Sequence, residues 1–424
     1  MARKLQLIVL LLASLLTVTA YKTFFYNSNP SDRPDDSYVE HLGIPYAKTY
    51  SKDASIYARN LWDLQAFAGK LYIGAGNSSN AAPAGNAGPV PVIAWNPKSS
   101  KFETEFVVDD EQIDTFYVAN GDLYIPGHDS TEAWQYGNLY RLSQGQWQKY
   151  RNVPNAVHVY ALSAYKKLLL AGLSINTKGK NENARSAVGI STDWGETWQN
   201  IDLDGFRIHG FLKAKDILYS TDMFWGPGYE QRFAENNLQY VPVHEFNGED
   251  NFIQRQDLSA KHIFPGFDLE GFQIYRIAKP QDWHSGTVYI GGYVHNDHQF
   301  MPFGLFYAAD LSRDRTDVRR LETPNDTIVW DLIVHDNALY ALLETNEQNS
   351  TKVSVIATND LQHWQTILEF QSPTFARSFE ILDGDFYFGL GGEILDPFDW
   401  QKKEPSSRTG ELLRVKGKHF KLLR

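Results

Sequence analysis

The sequence predicts an all-β propeller of seven four-stranded blades, with six blades as the alternative count. Three observations carry this. A hairpin motif recurs seven times at near-constant spacing. A second, plainer hairpin closes each unit. The 424 residues are also rich in strand-forming aromatics, with 23 Tyr, 25 Phe and 11 Trp.

The recurring unit is an alternating apolar strand, a tight polar turn, and a second strand that starts with an aliphatic–aromatic pair. Clear copies run Trp62–Phe67 into Leu71-Tyr72, and Thr115–Val118 into Leu123-Tyr124. Two more run Trp330–Val334 into Leu339-Tyr340, and Phe379–Leu382 into Phe386-Tyr387. Looser copies place Leu168-Leu169, Leu218-Tyr219 and Val288-Tyr289 at the same point. Counted on the second residue of each pair, the steps are 52, 45, 50, 70, 51 and 47 residues. Such periods, with several short strands each, are those of propeller blades. Turns such as Asn120-Gly121-Asp122 and Asp383-Gly384-Asp385 supply the positive φ that two-residue hairpins need. A β-sandwich has no reason to repeat one hairpin seven times.

The chain divides into three parts. Residues 1–20 read as a signal peptide: Arg3 and Lys4, an apolar run from Leu5 to Leu16, then small residues up to Ala20. Residues 21–57 read as a polar linker or extension, and 58–424 as the propeller. The expected outcome is a secreted protein, extracellular or periplasmic, with no membrane span after cleavage. Blade seven is expected to take its outer strand from His419–Leu423, while the role of Tyr46–Tyr57 in closing the ring stays open. Three Asn-x-Ser/Thr triplets begin at Asn77, Asn325 and Asn349.

Composition narrows the chemistry. With no cysteine, disulfides, thiolate nucleophiles and Cys-zinc sites are excluded. The net charge of -11 argues against a nucleic-acid partner. A monomer with a glycan or polysaccharide partner is expected.

One hairpin turn is distinctive. Ser191-Thr192-Asp193-Trp194-Gly195-Glu196-Thr197-Trp198 resembles the Asp-box, S-x-D-x-G-x-T-W, of the sialidase-type (BNR repeat) propellers. The defined positions Ser191, Asp193, Gly195, Thr197 and Trp198 all match. A degenerate copy spans Thr358–Trp364. The resemblance implies the propeller fold, and in that family the box is structural. Sialidase catalysis would also require an arginine triad and a Tyr-Glu pair. The nearest counterpart of the first arginine motif is Phe206-Arg207-Ile208-His209, which lacks the proline and follows the box. The resemblance therefore extends to fold and not to sialidase activity.

The candidate site lies where loops are long. Those between the second and third strands of each unit run about 76–91, 127–137, 173–186, 222–241, 292–303, 344–352 and 391–409. They emerge on one face, where function concentrates. His128, Trp134, Trp225, Tyr229 and Tyr293 are candidate ligand contacts there, with Asp63 at the channel mouth. Aromatic faces stack on sugar C–H surfaces, although the same rings would equally plug the loops. Near the starts of inner strands stand Asp114, His158, His209, Arg276, Asp331 and Arg377. They are the candidate catalytic set: imidazole moves protons near neutral pH, carboxylates orient it, and guanidinium holds anions. No cofactor is expected, though His158, His209 and Asp114 offer divalent-metal ligands, as does His295–His298. The expected function is a carbohydrate-active enzyme, a glycoside hydrolase or polysaccharide lyase. A non-catalytic glycan- or protein-binding propeller is the alternative.

Overall fold

The computed structural model describes residues 36–423, apart from 52, 79–83, 177–183, 204, 206, 215–216, 224–241, 266–271, 285, 296–299, 313–314, 325–326, 348–349 and 393–404. Seven antiparallel four-stranded sheets form a ring, so the chain is a seven-bladed all-β propeller. The innermost strands, blade 1 to blade 7, are Asp63–Phe67, Tyr117–Ala119, Ala156–Tyr165, Arg207–Ala214, Phe272–Trp283, Thr327–His335 and Ala376–Leu382.

The aliphatic–Tyr signature has a packing cause. Tyr72, Tyr124, Tyr219, Tyr289, Tyr340 and Tyr387 are all at most 3% exposed, wedged between neighbouring blades. Each phenol places its ring in the core while its hydroxyl reaches a polar partner. Tyr72 donates to Glu105 at 3.0 Å, Tyr124 to the Trp194 carbonyl at 3.3 Å, and Tyr289 to the Ile263 carbonyl. The second strands are buried on both faces, as in Leu168–Ile175, which explains their unbroken apolar runs. The tight turns are of the expected mirror-image kind. Asn120 and Gly121 have φ of 52° and 82°, and Asp383 and Gly384 have 53° and 79°.

The Ser191–Trp198 turn is held by its own side chains. Asp193 accepts from the Thr197 amide at 2.8 Å and the Thr197 hydroxyl at 2.6 Å, while Ser191 Oγ accepts from the Gly195 amide at 2.8 Å. The Thr358–Trp364 turn repeats the plan. Asp360 accepts from the Gln362 and His363 amides, both at 2.8 Å. Trp194 and Leu361, at matching places, share a φ of 59°.

Ring closure departs from expectation. The outer strand of blade 7 is Val39–Gly43, paired antiparallel with Leu412–Val415, and not His419–Leu423. Glu40 faces Arg414 across this seam and binds Lys416 at 2.6 Å. The C-terminal residues instead cross blades 6 and 7. Phe420 packs on Phe386 with ring centroids 4.6 Å apart, and the Leu423 amide donates to the Tyr340 hydroxyl at 3.0 Å. The segment after the seam strand folds onto blade 1, where Tyr46 is fully buried and donates to the Ile73 carbonyl at 2.8 Å. Part of the expected linker therefore belongs to the propeller. Asn77 is 4% exposed and its amide donates to the Gly85 carbonyl, so the folded chain hides that acceptor asparagine. The triplets at Asn325 and Asn349, and residues 1–20, lie outside the described residues. No helix among the described residues is long and apolar enough to cross a membrane.

Candidate active site on the channel

A β-bulge interrupts the innermost strand in each of blades 3 to 7. The interrupting residues are Tyr160, His209-Gly210, Lys279-Pro280, Trp330 and Arg377. A bulge inserts one extra residue, bends the strand and re-aims its side chain. Five residues before the last residue of their strands stand Tyr160, His209, Trp330 and Arg377, and in blades 1 and 2 Trp62 and Asp114. These six form one tier around the channel, and its two sides differ.

On the side of blades 5, 6, 7 and 1 the tier is sealed. Arg377 is 2% exposed, its guanidinium 4.6 Å from the Trp62 ring centroid and 4.8 Å from that of Trp330. Lys279 binds Asp63 and lies 3.4 Å from Asp331. Burial opposes the Lys279 charge, but Asp331 and Asp63 outweigh it and hold the ammonium protonated. Burial pushes the Asp331 carboxyl up, against the pull of Lys279. Both aspartates also tie their blade to the next. Asp63 accepts from the Phe116 amide at 2.7 Å, and Asp331 from the Phe379 amide at 3.1 Å. Glu380 accepts from the amides of Ile381 at 2.7 Å and of Ala66, in blade 1, at 3.2 Å.

On the side of blades 2, 3 and 4 the tier is a cluster of rings and one cation. Tyr160 meets the His209 ring at a 38° tilt with centroids 3.9 Å apart and stacks on His158 at 4.9 Å; His128 meets it edge-on at 5.2 Å. The Arg207 guanidinium lies 5.6 Å from the Tyr160 centroid. His158 and Tyr160 are two apart on one strand, as are Arg207 and His209 on the next, so each pair shares a face. His158 Nδ1 donates to the His128 carbonyl at 2.7 Å and lies 3.5 Å from Asp129. Asp114 accepts from Gln112 at 2.9 Å and lies 3.7 Å from His128 Nδ1.

The turn bearing His128 and Asp129 is fixed from beneath. The Glu111 amide donates to the Asp129 carbonyl at 2.8 Å. Buried Asp110 accepts from Tyr140 at 2.6 Å and from Asn138 at 3.0 Å, and the Asn138 amide also reaches Ser130 Oγ.

Two groups in this cluster are tuned. Burial first, then the Arg207 and His128 charges, pull the His158 imidazole well below its ordinary range, against the hydrogen bond to the His128 carbonyl. His158 is therefore neutral at pH 7. Its Nδ1–H is committed to a carbonyl, so Nε2 carries the lone pair. Burial, then the Glu111 charge, pushes the Asp129 carboxyl up to about 7, with Arg207 opposing. Shifts of this kind concentrate at functional sites.

Of the residues singled out from sequence, the structure gathers Asp114, His128, His158 and His209. It places Asp63, Asp331 and Arg377 on the opposite, sealed side, so the expected single ring of catalytic groups is two clusters. Trp134 is half-buried in the 127–137 loop. Arg276 and Tyr293 fall on blade 5 strands, but their side chains, with Trp225 and Tyr229, lie outside the described residues, as does the 296–299 loop. Among the described residues no three His, Asp or Glu side chains are grouped to hold a metal ion. Sequence reasoning missed Tyr160 and Lys279, and set Arg207 aside. The spacing of Arg207 with His209, matching that of His158 with Tyr160, was the available signal.

No family model matches the chain, and no curated protein sequence does. Similar solved structures include Kuenenia stuttgartiensis hydrazine synthase, at 10% identity and TM-score 0.48 over 79% of this chain and 93% of that one. Penicillium chrysogenum α-L-arabinanase matches at 11% identity and TM-score 0.40, over 90% and 98%. The GH93 α-L-arabinofuranosidase of Fusarium graminearum matches at 11% identity and TM-score 0.41, over 85% and 94%. At these values the likeness concerns the propeller fold alone.

Proposed function

We propose that this is an exported, carbohydrate-active propeller of the Asp-box superfamily, working at its long-loop face on the side of blades 2 to 4. One observation carries the reading. Arg207, His158 and His209 are gathered around Tyr160, beside a carboxyl that titrates near neutrality. A propeller needs none of this to stand. The opposite side of the same channel shows how charges are used when they only hold blades together. The cluster offers a positioned base, a cation and a proton-bearing carboxyl within one compact group. The 127–137 loop that carries His128 and Asp129 also presents Trp134 and Tyr136, whose side chains suit contact with sugar rings.

The test is a panel of sialosides, uronic-acid polymers and neutral glycans, scored for both saturable binding and turnover. At least one class is expected to bind. His158→Ala and His209→Ala, with melting checked, are each expected to weaken that binding or turnover about tenfold or more. No interaction with any class, or full activity in both folded variants, would move the function elsewhere.

A further inference from the structure

Building on that reading, we propose that the substrate is a polymer containing uronic acid and that the reaction is β-elimination, with His158 as base and Arg207 as the cation on the sugar carboxylate. The chemistry of this bond cleavage fits the groups present. The C5 hydrogen of a uronate is acidic only because the adjacent carboxylate can take up charge, so the site must neutralise that carboxylate as the proton leaves. Arg207 presents a planar cation suited to holding a carboxylate by two hydrogen bonds. It stands 5.6 Å from the centroid of the Tyr160 ring, on which His158 stacks and against which His209 lies tilted.

The electron accounting is closed without a co-reactant. His158 Nε2 takes the C5 proton, the C–H pair becomes the C4=C5 double bond, and the C4–O bond breaks. The imidazolium then returns the proton to the departing glycosidic oxygen. No water is consumed and nothing is oxidised or reduced. Asp129, 3.5 Å from His158 Nδ1, stabilises the transient imidazolium. Burial and the Arg207 charge keep His158 neutral at ordinary pH, so its Nε2 lone pair is available.

Glycoside hydrolysis asks instead for two carboxyl groups flanking the bond. Two of the carboxyl groups near this cluster, Asp114 and Asp129, each back an imidazole. Asp114 is 3.7 Å from His128 with its side chain 6% exposed, and Asp129 stands beside His158.

The experiment uses the full chain with polygalacturonate, alginate and a glucuronate polymer, beside neutral glycans. Ultraviolet absorbance of the conjugated C4=C5 product is read in parallel with new reducing ends. Absorbance and reducing ends are expected to rise together on at least one uronate polymer. Arg207→Ala is expected to lower kcat/KM by about 10²–10³-fold, with part restored by Arg207→Lys, and less loss on a methyl-esterified polymer. His158→Ala is expected to abolish the absorbance without changing melting. Reducing ends without absorbance would overturn elimination while leaving the carbohydrate-active reading in place. So would saturable binding with no cleavage. Silence toward every glycan would overturn both.

Discussion

Two arcs of one channel put charge to opposite uses. In the arc of blades 5, 6, 7 and 1, Lys279 is shared between Asp63 and Asp331, and Arg377 is closed between two indoles. Both aspartates also accept amides from the following blade. In the arc of blades 2, 3 and 4, His158, His209 and Arg207 are partly exposed, and Asp129 titrates near neutrality. A buried ion with fixed partners holds a fold in register and is costly to break. A partly exposed group with a tuned pKa can change state when a ligand arrives. The same residue types thus serve as cement or as reagents, according to what surrounds them.

The sharpest way to break this contrast is Lys279→Met. It leaves two buried carboxylates without their cation and is expected to cost about 3–5 kcal/mol in urea unfolding. Adding Asp63→Asn and Asp331→Asn should recover part of that loss, because the stranded charges are gone. Unchanged stability together with lost glycan turnover would make the sealed arc functional and dissolve the distinction.

Glu380 tests the same arc by pH. Burial pushes its carboxyl from 4.5 up to about 7, against the amides of Ile381 and Ala66. The folded chain therefore keeps this proton where the unfolded chain has released it. Stability from this group is lost as pH rises from about 4.5 to about 7. Glu380→Gln should flatten that part of the stability profile, worth about 2–3 kcal/mol across the window. An unchanged slope in the variant would show that the carboxyl is solvated.

The smallest expected effect belongs to a residue in neither arc. Asp193 accepts from the Thr197 amide and hydroxyl and from Ser191 Oγ. Asp193→Ala should cost about 1–2 kcal/mol by leaving those donors unpaired. It should leave the behaviour of the Tyr160 cluster unaltered. Loss of activity in the folded variant would extend the functional surface to the outer hairpins.

The site was half legible. His158, His209 and Asp114 stand out in the sequence because polar residues recur near the starts of inner strands that should be apolar, and His128 because it lies in a long loop. Tyr160 does not, because a tyrosine in a strand reads as core, and indeed it is 4% exposed. What makes it part of the site is the bulge that turns it against two imidazoles from different blades. Lys279 was hidden for a related reason. Lys-Pro inside a strand reads as an interruption, whereas the bulge there, with a Lys279 φ of 48°, carries the ammonium to two aspartates in other blades.

Sequence by itself determined everything that depends on neighbours along the chain: the hairpins, the mirror-image turns at Asn120-Gly121 and Asp383-Gly384, the buried residue that recurs once per blade, tyrosine in six and Leu169 in blade 3, and hence the count of seven. Backbone geometry and strand periodicity act over a few residues, so a single copy of the motif states its own conformation. Tertiary structure decided what depends on partners far apart. Val39–Gly43 and His419–Leu423 are both short segments that mix polar and apolar residues, and only the packing of Phe420 and Leu423 across blades 6 and 7 leaves the seam to the N-terminal strand. Asp63 and Asp331 stand four residues before the ends of their strands and His158 seven before its own, with the bulge at Tyr160 in between, so residues near the starts of inner strands do not share a level. The fold puts the two aspartates against Lys279 and leaves the histidines to the other side, since register and proximity around a ring are set by the strands that close it.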